Sequence, residues 1–244
     1  MSWTKSQFKA IVCGAVLALL VIAILVGVFL RYLAPSNEAG LTSLRFDRSS
    51  RVEIDRHPEL EFGTGPFTIS FWFKTASQQK YLTFISKRVS TMGDGWVIHG
   101  QENNTFLFYT AGCASPTSTP QQFRDGLWHQ VIFSRATNHM TIFFDGRSVG
   151  AGPDPCNHID NHPIRIGMDA ETGWHFEGEI AEVHLYNRAL TLEEIAEEWN
   201  QGKGRKSAVT GGGLVAGYHF DESGNTAIDF SGKGHIGTLI RQAR

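Results

Sequence analysis

Between residues 67 and 186 the chain is written as short runs in which apolar and polar residues alternate, with turn signals between them. Phe67-Thr68-Ile69-Ser70-Phe71-Trp72-Phe73 sets large apolar side chains against small polar ones, and only Trp72 departs from the pattern. A period of two sends successive side chains to opposite faces, so such a run reads as a strand buried on one face. Tyr81 to Ser86, Trp96 to His99, Thr105 to Thr110, His129 to Ser134, Met140 to Phe144, Ile164 to Gly167 and Glu179 to Tyr186 continue the series. Asp145-Gly146 is a strong hairpin-turn signal, and Ser148-Val149 resumes the strand beyond it. Many short strands separated by turns specify an all-β sandwich or barrel.

One segment departs from the period of two. Thr191 with Glu194 three residues on forms a capping box, and Leu192, Ile195, Ala196 and Trp199 share one helical face before Gly202. A short helix is expected there, packing Ile195 and Trp199 onto the sandwich.

The N-terminal region is of another kind. Ala10 to Leu30 is an uncharged apolar run of about 21 residues, which as a helix would span roughly 31 Å, the thickness of a bilayer core. Lys5 and Lys9 precede it, which favours a cytoplasmic tail over residues 1–9, a transmembrane helix over 10–33 and an extracytoplasmic domain. The rival, a cleaved signal peptide, has a shorter apolar region and a small-residue cleavage site, which Arg31-Tyr32-Leu33-Ala34-Pro35 does not offer. Ala10 and Leu30 bound the anchor, and Gly14, Ala18 and Gly27 within it permit close contact with other helices.

Residues 34–40 are a polar linker, 41–202 the sandwich, 203–213 a Lys- and Gly-rich connector, and 214–244 a tail that opens on a further strand. The formal net charge of −2 gives no reason to expect a nucleic-acid partner. Beyond the anchor the only cysteines are Cys113 and Cys156, each in a loop rich in Pro, Gly or Ser. Outside the cytoplasm they could pair, and the alternative is two free thiols.

The order of several motifs resembles the laminin-G-like branch of the concanavalin A-like lectin/glucanase superfamily. Ser43-Leu44-Arg45-Phe46-Asp47 with Arg51-Val52-Glu53-Ile54 comes first, then Phe67 to Phe73. Asp125-Gly126-Leu127-Trp128-His129-Gln130-Val131, Phe144-Asp145-Gly146-Arg147 and Pro163-Ile164-Arg165-Ile166-Gly167 follow. Phe176-Glu177-Gly178-Glu179-Ile180-Ala181-Glu182-Val183 and Tyr186-Asn187-Arg188-Ala189-Leu190-Thr191 close the set. The resemblance implies a jelly-roll sandwich of two antiparallel sheets. In the tail, Leu214 to Glu222 and Asp229 to Leu239 look like the opening of such a domain, placed after its end. The expectation is that the tail folds back as a permuted first strand, with donation to a neighbouring molecule as the alternative.

The chemistry implied is thin. A retaining glycosidase needs paired carboxylates about 5–5.5 Å apart. Glu53-Ile54-Asp55 begins such a pattern, but His57 stands where the glucanase family's second glutamate would sit, and Pro58 breaks the strand. Glu177-Gly178-Glu179 reads as a structural turn. The loop Asp154 to His162 offers histidines four apart, yet Pro155 and Pro163 disfavour a helix, and a solvated loop is expected. The resemblance further implies calcium on rim acids and carbonyls, with Asp47, Asp221 and Asp229 as candidate ligands if the tail folds back. For glycan contact the exposed-aromatic candidates are Trp96, Tyr109 and Trp174, each also readable as core or turn packing.

On sequence the chain is read first as a non-catalytic, membrane-anchored accessory subunit of a larger membrane complex, of photosynthetic or respiratory type, with other membrane subunits and the lipid bilayer as partners. The alternative is a membrane-anchored lectin-like module that binds glycan or another ligand, and a more distant one is a glycoside hydrolase.

Overall fold

The computed structural model describes residues 41–89, 94–169 and 173–241. The apolar run with Ala10, Gly14, Ala18, Gly27 and Leu30 lies outside the described residues. Among those described, no helix is long and apolar enough to cross a membrane.

Two seven-stranded sheets face each other. The first contains β1 (Leu44–Asp47), β3 (Phe67–Lys74), β7 (Trp128–Ala136), β8 (His139–Phe144), β9 (Arg147–Pro153), β11 (Glu177–Tyr186) and β12 (Leu214–Tyr218). It runs in the order β1-β11-β3-β7-β8-β9, with β12 also on β11. The second contains β2 (Ser50–Ile54), β4 (Tyr81–Arg88), β5 (Gly95–Gln101), β6 (Phe106–Thr110), β10 (Ile164–Ile166), β13 (Thr226–Ala227) and β14 (Gly237–Arg241). Its order is β13-β14-β2-β10-β4-β5-β6. Every pairing is antiparallel.

The alternation seen in the sequence sets the core. Phe67, Ile69, Phe71 and Phe73 of β3 point between the sheets and meet Leu82, Phe84, Trp96, Ile98, Phe106 and Phe108 of the opposing sheet. Aromatic contacts bind the layers together, with Phe73–Phe84 and Phe106–Phe123 centroids both 4.7 Å apart. Offset and edge contacts of this kind add to the burial of large ring surfaces.

Trp72 breaks alternation because it faces the other way. Its ring stacks on Trp199 at 5.1 Å, at the end of α1 (Leu192–Trp199), the one α-helix among the described residues. Thr191 and Glu194 close the capping box, and Ile195 packs with Ile132, Phe143 and Tyr186 on the outer face of the first sheet.

The tail pairs with its own chain. β12 aligns with β11 from Val183 opposite Tyr218 to Tyr186 opposite Leu214, and β14 aligns with β2 from Ile54 opposite Gly237 to Ser50 opposite Arg241. β1 occupies the other half of the same β11 edge, Glu177 to Ile180. β1 and β12 therefore lie end to end, and β11 bulges between Ala181 and His184, with Glu182 at φ 47°. A residue in this region of backbone space is a mark of local strain.

Cys113 and Cys156 form a disulfide with Cα atoms 6.2 Å apart. The loop from Asp154 to His162 is not the solvated loop expected. Asp154, Cys156, His158 and Asp160 are buried, alternating with exposed Pro155, Asn157, Ile159 and Asn161. The buried charges are paired: Asp154 with Arg135 at 3.2 Å and His158 at 2.9 Å, and Asp160 with Lys87 at 2.5 Å. Partnering of this kind is what allows charged groups to sit inside.

Candidate functional site

The outward positions of three consecutive strands form a cleft on the second sheet. In β4 and β5, Tyr81 stands opposite Gln101 and Thr83 opposite His99. In β5 and β6, His99 stands opposite Leu107 and Val97 opposite Tyr109. Because their strand neighbours fill the core, Tyr81, His99, Gln101, Leu107 and Tyr109 face away from it. With Arg88 and Trp174 they line a cleft of about 310 Å³. That is the lower end of the size range of small-molecule sites, and the mixture of aromatic surface with a few polar groups is their usual lining.

Trp174 comes from the segment between β10 and β11. Its ring centroid lies 4.4 Å from Tyr81 and 5.3 Å, edge to face, from His99. The segment is closed by an isolated bridge from Met168 to His175 and by Phe176 N–H donating to Gly167 O at 2.8 Å. Asp169, fully buried, receives Arg88 through Nε at 3.0 Å and through a second, shorter bond from Nη2. The Arg88 guanidinium then sits 5.4 Å from the centre of the Tyr109 ring. A buried ion pair thus ties the Trp174 segment to β4 and supports Tyr109 from below.

His99 forms part of the floor. Its Nδ1 lies 3.2 Å from Thr83 Oγ1, and its Nε2 is buried with no hydrogen-bond partner among the described residues. Burial pulls the imidazole down to about 4, with Arg88 adding to the effect and Asp169 opposing it. The ring is therefore neutral near pH 7. A buried ring nitrogen without a partner is costly unless something supplied from outside meets it.

Of the aromatics named from sequence, Tyr109 and Trp174 come together here, whereas Trp96 is fully buried and stacks on Phe108 at 5.4 Å. Tyr81, His99 and Arg88 were missed. They occupy outward positions of β4 and β5 and reach the cleft through the pairing of those strands, which the sequence alone does not state.

Glu53 and Glu179, two of the acids considered from the sequence, are engaged by basic side chains. Glu53 is held by Arg51 at 3.1 Å and Arg165 at 3.0 Å. Glu177 and Glu179 line a second concavity of about 320 Å³ with Arg45 and Lys74, where Lys74 meets Glu179 at 3.4 Å. Among the described residues, no aromatic side chain lines it. Asp229 serves the tail: Oδ1 accepts from the N–H groups of Gly217 and Ser231, and Oδ2 from Ser231 Oγ and the His235 N–H. Asp47 accepts from Ser49 and Ser50 at the end of β1, and Asp221 is exposed beyond β12.

Comparison with known proteins agrees with this architecture. Among solved structures, a "putative carbohydrate binding protein" from Bacteroides ovatus superposes with a TM-score of 0.62 at 17% identity, covering 82% of this chain and 58% of that one. The chain thus spans less than two thirds of that protein's length. The CBM40 of a Ruminococcus gnavus IT-sialidase, bound to α2,3-sialyllactose, gives 0.50 at 11% identity, covering 64% of this chain and 95% of that one. The binding domain of Paraclostridial Mosquitocidal Protein 1 gives 0.53 at 15% identity, covering 65% and 42%. At these identities the likeness is one of fold. No curated protein matches. The family described as the concanavalin A-like lectin/glucanases superfamily matches residues 46–196, well over half of the sequence. The chain belongs to the concanavalin A-like lectin/glucanases superfamily.

Proposed function

We propose that this protein is a non-catalytic carbohydrate-binding module whose ligand lies in the cleft of Tyr81, His99, Tyr109 and Trp174. The observation that carries this reading is the Tyr81–Trp174 wall, 4.4 Å between centroids, above a neutral His99 with a free ring nitrogen. A sugar ring offers apolar C–H faces to aromatic rings and hydroxyls to polar groups, and this cleft presents both. Carbohydrate-binding proteins among the fold neighbours support the same class of ligand.

This places the lectin-like reading ahead of the membrane-complex subunit, for which the described residues offer no observation. Attachment to a membrane through Ala10–Leu30, with the sandwich outside the cytoplasm, remains part of the proposal on the strength of the sequence alone. Screening the full-length protein, in detergent, on a glycan array tests the reading. A defined set of bound glycans is expected, and an array without a bound glycan would overturn it.

A further inference from the structure

A second cluster lies on the other sheet, where the tail meets β11. Glu182 and His184 come from the bulged stretch of β11, and His219 follows β12. One ligand atom from each can be chosen so that all lie within 4.8 Å of one another. His219 Nδ1 is 2.7 Å from Glu182 Oε2, and His184 Nε2 is 3.6 Å from it, outside hydrogen-bond reach.

Two buried atoms here have no hydrogen-bond partner among the described residues. They are His184 Nε2 and Glu182 Oε1, on side chains that are 1% exposed. Behind His184, its Nδ1 lies 3.0 Å from Glu198 of α1, and Glu198 is itself held by Tyr186 at 2.5 Å and Ser70 at 3.1 Å. An imidazole with a carboxylate on one nitrogen and no hydrogen bond on the other is the usual arrangement of a metal ligand. Phe230 closes the cluster, stacked on the His219 ring at 4.0 Å and edge to face with His184 at 5.4 Å.

Charge points the same way. Glu182 and Glu198 are two buried carboxylates. Burial requires that both be compensated. A divalent cation held between Glu182, His184 and His219 would supply that compensation at the place where His184 Nε2 and Glu182 Oε1 have no hydrogen-bond partner among the described residues.

We infer that Glu182, His184 and His219 hold a zinc-class divalent metal ion that fastens the C-terminal tail to the sandwich. Two imidazoles and one carboxylate are a donor set suited to Zn²⁺, leaving one position for water. The ion would join β11 to the segment that follows β12, so its role is structural.

The test uses full-length protein depleted of metal with a chelator and titrated with ZnCl₂, followed by metal analysis and thermal unfolding. One equivalent of zinc should bind and raise the melting temperature. His219 lies at the rim, 15% exposed, so H219Q should fold. It should weaken zinc binding about 100-fold, while H219C, which keeps a zinc ligand, should retain it. A second group, His57, Glu59 and His235, also lies close together, and H57Q should leave zinc binding unchanged. Wild-type protein that takes up no zinc, H219Q that binds as tightly as wild type, or binding abolished by H57Q would each overturn the inference.

Discussion

Tyr81 and Trp174 are joined ring to ring at 4.4 Å although they belong to different parts of the chain, one opening β4 and the other lying in the segment that leads to β11. Neither is needed for the core, since both remain partly exposed. Their contact makes the wall of the cleft. Trp174→Ala should therefore weaken glycan binding about ten- to a hundredfold, equivalent to about 1.4–2.8 kcal/mol, with little change in melting temperature. Titration calorimetry beside a thermal melt checks both halves.

His99 makes stability depend on pH. Its imidazole takes a proton near 6.5 in the unfolded chain but only near 4 in the folded one. Between these values the unfolded state holds more protons, so this contribution is intact above about 6.5 and declines as pH falls toward 4. The slope is of the order of 1 kcal/mol per pH unit. Urea midpoints at pH 7 and pH 5 should fall further for wild type than for His99→Asn.

The Cys113–Cys156 disulfide links residues 43 positions apart. On the chain-entropy account, closing a loop of that length stabilises by about 4 kcal/mol. Cys113→Ser with Cys156→Ser should lower the urea midpoint accordingly, and reductant should do the same to wild type but not to the double variant.

The tail depends on close approach at Gly217. A Cβ there would lie 2.5 Å from the Phe230 ring, which covers His184 and His219. Gly217→Ala should cost about 1–3 kcal/mol, read as a lower melting temperature. Truncation after residue 213 removes the partners of β11 and β2 and should give aggregating protein, because two strand edges are left open.

The sandwich was legible because a period of two survives in the residues, although central strands such as β3 and β7 are buried on both faces rather than on the one expected. Phe67 to Phe73 states both the strand and its inward side. The tail's resemblance to a domain opening raised the expectation that it folds back onto its own sandwich, but not that it supplies strands to both sheets, β12 on β11 and β14 on β2. The cleft was only half legible. Tyr109 and Trp174 were visible as aromatics, but Tyr81 and His99 meet them only through the register of β4, β5 and β6, which no local pattern encodes. Trp96 misled because alternation alone does not say which face is covered by the second sheet. The loop from Asp154 to His162 looked solvated because its partners, Arg135, Lys87 and Glu61, lie on distant strands or turns. The cluster of Glu182, His184 and His219 was hidden for the same reason, since it exists only once the tail is in place.

The most direct measurement is titration of an array-identified glycan into full-length wild type and into the Tyr81→Ala, Trp174→Ala double variant, each checked for an unchanged melting temperature. The account predicts saturable binding to wild type and at least a hundredfold loss in the variant. Equal affinity in the two proteins would contradict it.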